Sequence, residues 1–309
     1  MYVMIINPKA GNYKSQEVLE SFLSDYPQYK NKCKTFYSEY PGHAEKLAQQ
    51  VGSFYHQQIE MLFIFGGDGT LYEVMNGIKA FPDIPVSFVP TGSGNDFARG
   101  CKTPLDAYEQ LRASLKYKGL KPYWFGVYQT DFKNPSNQRL FSTCLGFGFD
   151  AEVAERANRS FLKKWFNRMR LKSLIYVFGL IATLFIYRPK RLSLNINGEK
   201  KEFDDLWMLT VSNHPYFGGG MKIAPEATIN SDEFTVTVVQ KISKWKLLLL
   251  FSTVFKGKHT KLKEVHTFKA STIELFSSEQ LTYQADGFTG KCYKCKVSKE
   301  SKERMVVRN

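Results

Sequence analysis

The stretch that most constrains this chain is Met61 to Glu73, MLFIFGGDGTLYE. Met61 to Phe65 is a continuous apolar run of strand length, which suits a strand buried on both faces. Gly66, Gly67 and Gly69 leave the strand end without Cβ atoms, so the backbone is free to turn sharply and to approach a ligand closely. Such a turn presents N–H groups to phosphate, with Thr70 adding a hydroxyl and the following helix its N-terminus. Asp68 is the odd member. A carboxylate beside phosphates is repulsive unless it orients the turn by hydrogen bonds or works through a cation such as magnesium. A nucleotide and metal site is therefore expected, with a tight βα turn and a capping aspartate as the plain alternative.

The surrounding chain has the rhythm this turn needs. Tyr2 to Ile6 reads as a first buried strand, and Asn7-Pro8-Lys9-Ala10-Gly11-Asn12 as a turn that either cradles phosphate or simply links strand and helix. Residues 15 to 27 are predicted helical, Lys32 to Tyr37 is a short second strand, and Ala44 to Gln57 a further helix after Pro41-Gly42-His43. Leu71 to Gly77 continues as a helix from which Glu73 and Asn76 look back toward the turn. Pro85 to Pro90 is another strand, emptying into Thr91-Gly92-Ser93-Gly94-Asn95-Asp96-Phe97-Ala98-Arg99. Paired glycine and hydroxyl clusters at strand carboxyl ends are what a nucleotide cleft requires. These turns contain neither G-x-x-x-x-G-K-[ST] nor G-x-G-x-x-G, which excludes a P-loop ATPase and weakens a dinucleotide oxidoreductase.

From about Lys121 the texture changes to strand-like pieces separated by turns: Trp124 to Gln129, Leu140 to Cys144, Lys190 to Ile196, Phe203 to Val211, Phe234 to Val239, Thr267 to Phe276 and Leu281 to Tyr283. A mostly antiparallel second domain is expected. Gly146-Phe147-Gly148-Phe149-Asp150 and Asn213 to Met221 read as glycine-rich turns after strands, facing a cleft or closing hairpins. Ala151 to Lys172 is charged and helical in texture, and it runs into the uncharged stretch Ser173 to Tyr187. A bilayer span needs about twenty apolar residues, so this stretch suits a buried or interfacial helix. Trp245 and Leu247 to Phe255 are likewise bracketed by Lys241, Lys244, Lys246, Lys256, Lys258, Lys261 and Lys263. Apolar side chains beside a lysine fringe suit anionic lipid; a sheet-capping helix with solvated lysines is the alternative.

The 309 residues suffice for two domains, and the 43% hydrophobic content belongs to a folded protein. A formal net charge of +14 points to a polyanion: nucleic acid, an anionic membrane, or phosphate. No nucleic-acid motif accompanies it, and the lysines gather beside apolar runs, so nucleic acid is not expected as a partner. The five cysteines are odd in number and irregular in spacing, and Tyr2 to Ile6 runs into Asn7-Pro8 without a signal-peptide pattern; a cytoplasmic setting is expected. Cys292 and Cys295 read as strand residues, since no second pair completes a zinc site.

The ordered set INPKAG at 6–11, GGDGTLYEVMNG at 66–77, PTGSGNDFARG at 90–100, GFGFDAEV at 146–153, NHPYFGGGM at 213–221 and ADG at 285–287 resembles the diacylglycerol kinase catalytic family. It is most similar to the soluble bacterial lipid kinases, relatives of sphingosine kinases and more distantly of NAD kinases. The glycine turn alone is shared with NAD kinases and phosphofructokinases; the ordered set carries the specificity. This resemblance implies an N-terminal Rossmann-like α/β domain for ATP over residues 1–125, with 291–309 as its candidate completion. It implies a mostly antiparallel β-sandwich lipid domain over 126–290, with helices inserted around 151–187 and 243–258 and the active site in the cleft. The implied activity is transfer of the ATP γ-phosphate to a lipid alcohol, diacylglycerol first, by a peripheral enzyme at the inner face of the cell membrane, with a homodimer as a candidate assembly.

Residue by residue, the resemblance puts Asn7, Pro8, Lys9, Ala10 and Gly11 against the nucleotide and Ser38 where a threonine usually stands near ATP. Gly66, Gly67, Asp68, Gly69, Thr70 and Glu73 take the phosphates, and Thr91 and Ser93 complete the pocket. Asp232 holds magnesium with the carbonyls of Ile229 and Phe234. Asp286 is the base that deprotonates the lipid hydroxyl, and Asp68 is its catalytic companion. Two departures stand out: Glu233 replaces the usual glycine after the metal aspartate, and Phe288 replaces the usual glutamate two places after the base. Phenylalanine can neither orient a base nor bind a metal. An NAD kinase-like enzyme and a nucleotide- or lipid-binding protein without transfer are the competing expectations.

Overall fold

A computed structural model describes residues 1–117, 119–132, 137–159, 172–229 and 231–309. The chain packs into two units, one of Met1–Gly126 with Tyr216–Gly220 and Glu300–Asn309, the other of Val127–Pro215 with Met221–Lys299.

In the first unit β1 (Tyr2–Ile6), α1 (Lys14–Asp25), β2 (Cys33–Tyr37), α2 (His43–Tyr55), β3 (Met61–Gly66), α3 (Asp68–Gly77), β4 (Val86–Pro90), α4 (Asp96–Cys101), α5 (Ala107–Tyr117) and β5 (Leu120–Tyr123) follow one another. The sheet runs β2-β1-β3-β4, then the C-terminal strand Arg304–Val307, then β5. The β1 to β4 pairings are parallel, as is the join to Arg304–Val307. Every residue of β3 is buried because both faces are covered. Met4, Ile6, Met61, Phe63 and Phe65 pack on one face with Val18, Leu19 and Phe22 of α1 and Leu111 of α5. The alternate residues Val3, Ile5, Leu62 and Ile64 are fully buried on the other.

The second unit is built on a nine-stranded sheet with the order Val265–Ala270, Phe234–Gln240, Glu199–Ser212, Cys144–Gly148, Thr272–Ala285, Phe288–Lys299, Gly126–Thr130, Arg139–Phe141; Lys190–Ile196 also pairs with Glu199–Ser212 and Thr272–Ala285. The pairings around its centre are antiparallel.

Three expectations are corrected here. Gly146 and Gly148 lie within the strand Cys144–Gly148, which leads directly into the helix Phe149–Arg159; they do not form a turn. A Cβ on Gly146 would stand 2.0 Å from the Asp150 carboxylate, so glycine is there to admit a side chain. Thr267 to Phe276 divides into two strands at Ser271, where Asn197 Oδ1 accepts from Ser271 N, Ser271 Oγ and Thr272 N. Leu281 to Tyr283 is part of Thr272–Ala285, displaced in register by a bulge after Phe276.

The apolar run forms a helix, Lys172–Ile186, while residues 160–171 of the charged stretch lie outside the described residues. Among the described residues no helix is long and apolar enough to cross a membrane. Cys292 and Cys295 are buried strand residues, as the sequence suggests, and burial pushes the Cys292 thiol up to about 12. Asp131 Oδ1 accepts from the N–H groups of Tyr293 and Lys294 between them.

Candidate active site

The first unit gathers three loops at the carboxyl ends of β1, β3 and β4. Asn7 Nδ2 donates to Thr70 Oγ1 at 3.1 Å, and the Ser15 and Thr91 hydroxyls lie 2.7 Å apart. Thr91 N and Gly92 N both donate to Gly66 O. Glycine is required by these approaches. A Cβ on Gly92 would meet the Gly67 Cα at 2.4 Å, and one on Gly11, whose φ is +58°, would meet Thr91 O at 2.2 Å. No side chain caps the start of α3, so its first turn faces the loops with backbone N–H groups and the positive end of the helix dipole. A Cβ on Gly69 would meet nothing within 4 Å, so that turn stands beside open space.

The carboxylates among these loops hold backbone. Asp68 accepts from Asp96 N and Phe97 N, each at 3.1 Å, and so fastens the β4 loop to the β3 loop. Glu73 accepts from Gly42 N at 2.9 Å and Ala44 N at 3.2 Å, which satisfies orphan donors at the start of α2. Asp96, at 4% exposure, accepts from Gly219 N and Gly220 N at 2.7 Å each. That clamp ties Tyr216–Gly220 to the first unit, although its flanking strands belong to the second.

Lys9 Nζ donates to Glu39 O, and Lys9 N to Asn7 Oδ1. The Ala10 N–H donates to Asn7 O, which closes the turn around Pro8. Ser38 is buried at the end of β2, with its N–H donating to Ile6 O, and Ser93 is exposed. The structure thus brings together Asn7, Gly11, Gly66, Gly67, Thr70 and Thr91, and it gives Asp68 and Glu73 bracing contacts.

In the second unit Asp286 has a φ of +48° and is followed by Gly287 at +90°. Its Oδ2 accepts from Ser142 N at 2.5 Å and Ser142 Oγ at 2.8 Å; its Oδ1 accepts from Thr143 N at 2.9 Å, Thr143 Oγ1 at 2.5 Å and Cys144 N at 3.2 Å. Gln284 Oε1 accepts from Gly287 N and Asn158 Nδ2 donates to Gly287 O, so the turn is held from both sides. Phe288 is half-exposed beside it.

Asp150 is the contrasting carboxylate. It is buried in the first turn of its helix beside the Gln284 amide, and neither its oxygens nor Gln284 Nε2 makes a hydrogen bond of good geometry among the described residues, although the Ala151 N–H and the Gln284 amide are its nearest donors. Burial pushes its carboxyl up to about 7, against the pull of the Ala151 N–H and Gln284.

Asp232 is exposed, with no ion pair within 4 Å among the described residues. Its carboxylate and the carbonyls of Ile229 and Phe234 are hard oxygen donors, the kind magnesium takes. Among the described residues no three His, Cys, Asp or Glu side chains gather for a metal. The same place carries a cation of the protein's own: Lys299 Nζ donates to Asn213 Oδ1 and sits 4.5 Å above the Phe234 ring. Burial pulls the Lys299 ammonium down to about 8 while Asp232 opposes that shift. The donors are thus of the chemistry a hard cation takes, and the Lys299 ammonium offsets the charge of Asp232.

Asp96, Asp150, Gln284, the Ser142–Thr143 pair and Lys299 are the residues that pattern reading missed. Asp96 and Asp150 lay inside motifs already singled out, though without a role; the others take their importance from segments distant in sequence.

Residues 1–121 match the family described as the diacylglycerol kinase catalytic domain, and residues 143–292 the YegS C-terminal NAD kinase beta sandwich-like domain. The chain is 35% identical over 288 residues to the Bacillus subtilis (strain 168) protein named "Putative lipid kinase YtlR", covering 93% of this chain and 92% of that one. It is 31% identical over 217 residues to a diacylglycerol kinase of Mycobacterium tuberculosis (strain H37Rv), covering 70% of this chain and 66% of the other. The crystal structure of a diacylglycerol kinase from Bacillus anthracis str. Sterne shares the fold at a TM-score of 0.72 and 16% identity, over 100% of this chain and 96% of that one. The chain belongs to this bacterial diacylglycerol kinase and lipid kinase family.

Proposed function

We propose that this family member is an ATP- and magnesium-dependent lipid kinase that transfers the γ-phosphate to the hydroxyl of a lipid alcohol, with diacylglycerol as the first candidate and phosphatidic acid as its product. The observation that carries the reading is the convergence of the β1, β3 and β4 loops on glycine contacts too close for any Cβ. Such a surface offers phosphate backbone N–H groups in place of bulk.

In this reading Asn7 to Gly11, Ser38, Thr91 and Ser93 border the nucleotide, and Gly66 to Thr70 with the start of α3 bind its phosphates. Asp68 and Glu73 keep those loops in register. Asp232, Ile229 O and Phe234 O would hold magnesium, which when bound supplies positive charge against phosphate oxygens. Asp286 takes the proton of the lipid hydroxyl as that oxygen forms its bond to phosphorus and the bond to the ADP oxygen breaks. To do so it must exchange one of its present donors for the substrate. The Ser142 and Thr143 hydroxyls can rotate away, whereas the three backbone N–H groups keep the carboxylate in place. Phe288 adds an apolar surface next to the base in place of a second carboxylate.

A second reading has its own support: an Asp286 already satisfied by five donors and lacking an acidic neighbour suits a nucleotide-binding protein without transfer. Labelled γ-phosphate transfer from ATP into a panel of lipid alcohols in mixed micelles with magnesium, beside a tube containing NAD, separates the readings. Label in a lipid is expected. Label in none, with ATP binding measured independently, would leave the binding protein, and label in NAD the NAD kinase-like enzyme.

A further inference from the structure

The turn that carries Asp286 is held by one helix at two places. Asp286, with a φ of +48°, and Gly287, at +90°, are both left-handed, a backbone that a residue other than glycine keeps only where contacts hold it. Gly287 N donates to Gln284 Oε1 at 3.2 Å, and Gly287 O accepts from Asn158 Nδ2 at 3.2 Å. Asn158 belongs to the helix Phe149–Arg159, and the same helix brings the Asp150 carboxyl over Gly146, beside the Gln284 amide. Both backbone polar groups of Gly287 therefore depend on that helix, one directly and one through Gln284.

The Gln284 contact has a direction. A side-chain amide is nearly symmetric in shape, so its orientation is set by what its two ends meet. Gln284 is fully buried, and its oxygen serves Gly287 N while its nitrogen stands on the Asp150 side. A Cβ on Gly146 would lie 2.0 Å from Asp150 Oδ2 and 2.8 Å from Gln284 Nε2, so both atoms gather over the one residue that leaves room for them. Gln284 is the partner of Gly146 on one neighbouring strand. Thr210, its partner on the other, has a buried hydroxyl that bonds to neither side chain. Asp150 is left as the group that orients the amide.

Such a buried carboxyl costs stability, and the Asp286 side shows what it serves. When the Ser142 and Thr143 hydroxyls rotate away to admit a substrate hydroxyl, the Asp286 carboxylate keeps the three backbone N–H groups of Ser142 to Cys144. Its aim then rests on the turn beneath it.

We propose that Asp150 and Gln284 are positioning residues for the base: Asp150 orients the Gln284 amide, whose oxygen holds Gly287 N and with it the left-handed turn that aims Asp286 at the acceptor hydroxyl. The inference rests on the reading of Asp286 as the base of a lipid kinase.

The test is steady-state transfer from ATP to a short-chain diacylglycerol, or to whichever lipid alcohol of the panel the full-length wild type phosphorylates, with amide hydrogen exchange at Gly287 measured beside it. Asp150→Leu keeps the shape of the side chain and removes its oxygens, and Gln284→Met does the same for the amide. Each should lower kcat roughly ten- to a hundredfold, leave KM for ATP and lipid unchanged, and quicken exchange at Gly287. The double variant should be no slower than the slower single, because both act through one contact. Asp150→Asn keeps an oxygen that accepts from Gln284 Nε2 and should return most of kcat. Asn158→Ala, at an exposed position, removes the other hold on Gly287 without touching the buried pair, and should slow transfer by a smaller factor.

Wild-type kcat in both Asp150→Leu and Gln284→Met would overturn the proposal. So would a double variant whose loss is the product of the two single losses, or an Asp150→Asn as slow as Asp150→Leu. In each of these cases the wild type is active and the kinase reading stands. A wild type that transfers phosphate to no lipid removes that reading, and this inference falls with it.

Discussion

Asp286 and Asp150 lie in the same unit and are almost equally buried, at 6% and 7% exposure, yet their surroundings are opposite. Asp286 sits on a left-handed turn whose carboxylate is met by the backbone of Ser142 to Cys144, where consecutive N–H groups converge. Asp150 starts a helix over a glycine and meets an amide that is already committed, through its oxygen, to Gly287. A buried carboxylate is stabilised where donors surround it and costs stability where they do not. Burial alone therefore says nothing about which acid holds the fold together; the count of donors does.

The sharpest way to break this comparison is Asp286→Asn. If Asp286 is the base, turnover should fall roughly 10²- to 10⁴-fold while ATP affinity, measured separately by calorimetry, changes little. A variant that remains fast would assign the residue to architecture alone.

Gly146→Ala comes next, because its methyl would collide with the Asp150 carboxylate. A loss of about 3 kcal/mol is expected in urea unfolding. Adding Asp150→Gly should restore most of it; two additive losses would show that the collision is not the cause.

Asp150→Asn probes the orphaned charge by itself. The folded-state pKa, about 7, lies above the ordinary 3.8, so the native state holds its proton more tightly than the unfolded chain. The group's stabilising contribution is therefore complete below pH 4 and is lost as pH rises toward 7. The variant should gain on the wild type over that window, by about 4 kcal/mol at pH 8, with almost no difference at about pH 3. Parallel pH–stability curves would contradict the assignment.

The smallest effect belongs to a well-satisfied carboxylate at a helix start: Glu73→Ala should cost about 1 kcal/mol, as the loss of a helix cap does. A gain in melting temperature there would undo the contrast with Asp150.

Much of the first unit was legible beforehand because its signals are local. A buried strand that ends in Gly66-Gly67 and restarts at Asp68 is specified by neighbouring residues, and the same holds for Pro85 to Pro90 with its loop. The second unit was read less well where glycine has two meanings. In GFGFD it looked like a turn former, whereas Gly146 is a strand residue made small to admit Asp150. The single strand expected from Thr267 to Phe276 failed because Ser271 is an unremarkable residue whose turn depends on Asn197, remote in sequence.

The sequence by itself determined the alternating α/β beginning, the strand-rich continuation, the apolar runs with their lysine fringe and the ordered motifs of the family, since each is written in the spacing of nearby residues. Only the tertiary structure decided the work of the acids. Asp68 reaches the α4 start, Glu73 the α2 start, Asp96 the Gly219–Gly220 pair, and Asp286 the Ser142–Cys144 segment, while Asp150 reaches no donor of good geometry. A carboxylate's role depends on the N–H groups that fold up to it, and those come from segments whose proximity no local pattern encodes.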